Sequence, residues 1–60
     1  MELVLSDEEA RTLYALLSDY LHDLRREVAR TEAKDFRHAL VLRQNLVERL
    51  LGELERERVS

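Results

Sequence analysis

Asp19, Asp23 and Glu27 recur at every fourth residue, so on a helix they would form one acidic row. Such a row can hold a cation or face basic residues on a neighbouring helix. Asp19-x-x-His22 has the spacing at which a carboxylate and an imidazole share a metal inside a helical bundle. The helical phase argues against that use, because Asp19 and His22 fall on the outward side and the second half of the chain offers no inward acid. Like charges four residues apart also repel mildly, so the row is read as answering basic groups on a neighbour.

Arg43 is the one anomalous charge. It falls near the centre of an apolar face, among Leu40, Leu46, Val47 and Leu50. With a hairpin turning near Ala33, Arg43 would lie level with Asp23 and Leu24. Its stem is then expected to be buried and its guanidinium to reach Asp23 or Glu27, as a partly buried ion pair. An anion site inside a bundle is the sharper alternative. A second basic group surrounds the expected turn, with Arg25, Arg26, Arg30, Lys34, Arg37 and His38 interrupted by Glu27, Glu32 and Asp35. It is read as a solvated surface, and Arg25, Arg26, Arg30 and Arg37 are the candidates for any nucleic-acid contact. His22 and His38 do not face each other.

No set of residues here suits catalysis. There is no cysteine, no serine with a plausible base, no paired carboxylate in a concave setting and no glycine-rich phosphate loop. No catalytic, metal-binding or cofactor-binding residue is therefore assigned, and the chain is expected not to be an enzyme.

The elements that position these groups are helices. Proline is absent and glycine occurs once, at Gly52. Ser6-Asp7-Glu8-Glu9 reads as a capping box that opens the first helix, with acids at the positive end of its dipole. At about 100° per residue, Ala10, Leu13, Leu17, Tyr20, Leu21, Leu24 and Val28 share one face, flanked by Tyr14 and Leu16. The helix is predicted over residues 6–31. The stripe loses phase between Val28 and Phe36, and Thr31 and Asp35 can both cap, so a turn is placed at 31–35. One continuous helix is the alternative. The second helix is predicted over 35–58, with Phe36, Ala39, Leu40, Leu46, Val47, Leu50, Leu51 and Leu54 on one face, Leu42 on its flank and Val41 pointing away. Gly52 falls on the outer side. Arg49 with Glu53, and Glu55 with Arg58, are the expected surface pairs, and the tail from Arg56 is expected to fray. Glu2 to Leu5 read as a short extended segment, with Leu3 and Leu5 packed on a bundle.

Each apolar face spans close to half the helix circumference, which calls for two neighbours rather than one. The 60 residues form one domain, a helical hairpin covering 1–60. A chain this size buries only about 60% of its unfolded surface, and without cysteine the remaining staple is oligomerisation. The expected fold is all-α: a two-helix antiparallel hairpin with a short extended N-terminal segment, associating as a homodimeric four-helix bundle. Its expected dimer core is Leu13, Leu17, Tyr20, Leu24, Val28, Phe36, Leu40, Val47, Leu50 and Leu54.

Hydrophobic residues are 45% and charged residues 38% of the chain, too apolar for disorder. The net charge of -3 disfavours a general nucleic-acid binder. Met1 to Leu5 lack the basic start of a secretory signal, and no apolar run approaches the roughly 20 residues of a membrane span. A cytoplasmic, membrane-free setting is expected.

Leu5-Ser6-Asp7-Glu8-Glu9-Ala10, Asp23-Leu24-Arg25-Arg26-Glu27 and Asp35-Phe36-Arg37 carry a resemblance. The chain resembles a group of small bacterial helical-hairpin proteins without an assigned activity, which implies a bacterial source and lends no functional residue. In architecture alone it also resembles the plasmid RNA-binding repressor-of-primer proteins, two-helix hairpins that form antiparallel four-helix dimers. That analogy concerns fold and transfers no RNA contact. The function expected is a non-enzymatic protein–protein interaction or regulatory module working as a homodimer, or with another protein. The alternative is a small dimeric RNA- or DNA-binding regulator using the arginines near the turn.

Overall fold

The computed structural model describes residues 3–59, with side chains through Arg56. Two helices pack against each other, α1 (Asp7–Arg30) and α2 (Lys34–Val59), and no strand occurs among the described residues. α1 opens as its residues dictate. The Glu9 amide donates to Ser6 Oγ at 3.1 Å, and the Ser6 amide donates to Glu9 Oε1 at 2.9 Å, closing the capping box. The Ser6 amide foremost, and the Ser6 hydroxyl second, hold the Glu9 carboxyl below its ordinary value. The extended segment before the cap is not in regular structure. Leu3 and Val4 are exposed and Leu5 is half-buried, while Met1 and Glu2 lie outside the described residues.

The turn needs no glycine because Thr31 ends the helix without left-handed backbone. Thr31 is extended, with φ -86 and ψ 120, and its amide donates to the Val28 carbonyl at 3.3 Å. Its hydroxyl donates to the Glu27 carbonyl at 2.6 Å. Two carbonyls of the last turn thus find partners, as a helix end requires. The turn is Thr31-Glu32-Ala33, shorter than the predicted 31–35. The Ala33 carbonyl already accepts from the Arg37 amide at 2.9 Å, so the backbone starts α2 without a side-chain cap. Asp35 therefore lies inside the first turn of α2, where its charge suits the dipole, rather than before it. At the other end α2 runs through Arg56 to Val59.

The two helices meet along Leu17, Leu21, Leu24 and Val28 of α1 and Leu40, Val47 and Leu51 of α2. Among the described residues, only Leu21, Leu24, Leu40 and Val47 are buried. Val41, expected to point away, is half-buried, because it lies beside the α1 contact rather than opposite it. Two polar contacts also link the helices along one edge. Arg25 bonds Glu48 at 3.1 Å, and the Tyr14 hydroxyl donates to Glu55.

Gly52 has open space around the position a Cβ would take, and its φ is not positive. It therefore contributes backbone entropy to the unfolded chain and no contact to the folded one. Gly52→Ala should stabilise the fold by about 1 kcal/mol. A thermal melt followed by circular dichroism checks this, and an unchanged or lower midpoint would show that Gly52 faces something.

Candidate association interface

The molecule measures 40 × 22 × 15 Å. Its thinnest dimension is little more than one helix, which with side chains is about 10–12 Å across. A hairpin is thus a single layer, whereas domains close their cores between two or more layers. The radius of gyration is 13.4 Å, against roughly 10 Å for a compact chain of this length. The accessible surface is 5297 Å², against roughly 4,100 Å² for a compact protein of this mass.

The excess surface is not evenly polar. Leu16 is 62% exposed, Phe36 61%, and Tyr20, Leu42, Leu46 and Leu50 are also exposed. On α1, Leu16 and Tyr20 are displaced from the α2-facing row by roughly a quarter turn or a little more, at about 100° per residue. On α2, Leu46 and Leu50 are displaced from the α1-facing row by a similar angle and in the same rotational sense. Phe36 lies nearer that row and Leu42 further round. Because the helices run antiparallel, the same sense puts both displaced rows on one side of the hairpin. The opposite side is polar and closed by its own contacts, the Arg25–Glu48 ion pair and the Tyr14–Glu55 hydrogen bond. One face of the layer is therefore apolar and one is polar.

Each half-circumference stripe read from the sequence thus divides in two. Leu24, Leu40 and Val47 are buried within the hairpin, with Leu13, Leu17, Val28 and Leu54 half-buried. Tyr20, Phe36 and Leu50 stand on the open face. Leu13 and Leu16 also line a shallow concavity of 310 Å³ at the start of α1, with Ser6, Glu8, Glu9 and Thr12. It brings no convergent set of catalytic groups.

The charged candidates are placed differently from expectation. Within the chain Arg43 is exposed rather than buried, and among the described residues it has no carboxylate within ion-pair distance. Asp23 bonds Arg26 at 2.8 Å and Glu27 bonds Arg30 at 3.4 Å, each within one turn of α1. The helical angle explains the difference. Arg43 is displaced by about 60° from Leu40 toward the open face, at about 100° per residue, and Asp23 and Glu27 take partners on their own helix. Glu27 also points out of the hairpin, away from the α2 axis.

Arg25, Arg26 and Arg30 thus each have an acid, while Arg37 stands exposed on α2. The four do not converge on one surface. Arg25 lies on the polar side, and Arg26 and Arg30 on the outer side of α1. On the far half of α2, Glu53 pairs with Arg56 at 3.7 Å rather than with Arg49, and Glu55 receives Tyr14; the side chain of Arg58, its expected partner, lies outside the described residues. The sequence reading missed the Arg25–Glu48 and Tyr14–Glu55 links. Both join residues at the edge of a stripe, and only the register between helices reveals them. Asp19 and His22 are exposed, and no group of three or more His, Cys, Asp or Glu among the described residues could hold a metal ion. No helix among them is long and apolar enough to cross a membrane.

The fold and face define a class of molecule: a single-layer helical hairpin with one apolar and one polar side. Compared with family models, curated proteins and solved structures, the chain matches none.

Proposed function

We propose that this protein is a non-enzymatic association module that works as a homodimer, two hairpins closing a four-helix bundle through their apolar faces. The observation that carries this reading is the one-sided face. A layer with one apolar side needs a single further layer to cover it, and a second copy supplies one of equal length and matching character. A two-fold pair closes with no apolar face left over, so it does not grow into a filament. The size fits as well. The hairpin exposes about 1,200 Å² more than a compact chain of its mass, and a stable pair buries about 800 Å² or more per partner.

Sedimentation equilibrium at micromolar concentration should return twice the chain mass of 7.1 kDa. The melting temperature should rise with protein concentration, since a second chain binds only the folded hairpin. A cooperative melt of a monomer, independent of concentration, overturns the reading.

A further inference from the structure

The open face carries two charges that the hairpin does not use against each other. Arg43 lies within its α2 half, with Ala39 one turn before it and Leu46 and Leu50 one and two turns after. Glu27 lies within its α1 half, seven residues and therefore two turns beyond Tyr20 on the same stripe. The turn at 31–33 and the packed core set Arg43 about level with Leu21 to Leu24, so Glu27 stands about one helical turn nearer the turn. Helical side chains tilt toward their own N-terminus, so in antiparallel helices these two lean toward each other along the axis. Covering the face would desolvate both, and an unpaired buried charge is costly.

Two arrangements can bring the apolar faces of two copies together about a two-fold axis. With the axis along the helices, α1 of one copy lies over α2 of the other at equal height. Arg43 then stands about one turn from Glu27 of the second copy, within reach of a long guanidinium side chain leaning toward it, twice per dimer, and the two Phe36 side chains gather at one end near the axis. With the axis across the helices, each α2 lies over its own copy. Arg43 then meets the stretch near Leu50, where the nearest acid, Glu53, sits at the edge of the face; like Glu27, it has an arginine of its own helix beside it. We infer that the first arrangement is adopted, and that reciprocal Arg43–Glu27 pairs between copies fix it. This inference rests on the homodimer reading and adds its orientation and its specificity.

The test uses two variants of the full chain, Arg43→Glu and Glu27→Arg. Both positions are exposed in the hairpin, so each single variant leaves the hairpin's own core intact. Alone, each should dimerise with a dissociation constant raised tenfold or more, because like charges then meet at two places. Mixed one to one, they should form a heterodimer of about wild-type affinity, since both of its ion pairs are restored. Native mass spectrometry resolves heterodimer from homodimers, and titration of the mixture gives its affinity. Should the single variants fail to fold, folding on mixing supports the inference equally. A mixture no tighter than its components overturns it, because a pair within one chain, or no pair at all, gains nothing from mixing. Rescue of Arg43→Glu by Glu53→Arg instead of Glu27→Arg overturns it in favour of the crossed arrangement. A wild-type chain that stays monomeric refutes the homodimer reading itself, so the two failures are distinct.

Discussion

Leu46→Glu is expected to convert the protein to a monomer at micromolar concentration. Leu46 is 47% exposed in the hairpin, so within one chain the change swaps a partly wet leucine for a wet carboxylate. In the proposed dimer the same position lies midway along the covered face. Each copy then buries an acid without a partner, and removing an ion from water unpaired costs about 3 kcal/mol or more. That corresponds to a dissociation constant raised at least a hundredfold. Sedimentation should give the single-chain mass, and the melting temperature should lose its dependence on concentration. Helix content should fall too, because a single layer with four buried residues among those described has little to hold it. Asn45→Glu is the control. It adds the same charge on the outer side of α2 and should leave mass and melt unchanged. A Leu46→Glu protein that sediments and melts like the parent would show that the face is wet in solution.

The contrast between neighbouring residues shows what could be read from the chain. The capping box, the two helices and their near boundaries were legible because they rest on local rules: a hydroxyl three residues before a glutamate, and apolar residues at helical spacing. The width of the stripes was legible too, and its division into an inner row and an open row follows from antiparallel packing. The turn was misplaced by two residues because Asp35 looked like a cap. The backbone instead closes α2 through the Ala33 carbonyl, which no side chain announces. Arg43 was misread for a different reason: it lies about 60° off the α1-facing row, on the open face, where it is exposed. Ion pairs depend on register more steeply than apolar contacts do, since a leucine meets some leucine at most heights while a guanidinium needs one carboxylate. Hence the inner core residues Leu24, Leu40 and Val47 were found, and the partners of Arg25, Asp23 and Glu27 were not.

Leu24→Ala should be the most damaging truncation in the chain, and should act through the hairpin rather than through the face. Leu24 is 3% exposed and clusters with Leu21, Leu40 and Val47. Removing its isobutyl group leaves a void between two helices that have no third layer to collapse onto it, and such changes cost about 2–5 kcal/mol. A domain this small rarely draws more than about 3–5 kcal/mol from its core, so the variant should be largely unfolded at low concentration. Its melting temperature should fall by more than about 10 °C. The slope of that temperature against protein concentration should survive, because the open face is intact and mass action still favours the pair. Leu46→Glu should show the opposite pattern, with the slope gone. The two variants thus separate the hairpin's own packing from association, by melts recorded at several concentrations. If Leu24→Ala melts within a few degrees of the parent, the inner row is not the core of the hairpin and the packing described for α1 and α2 is wrong.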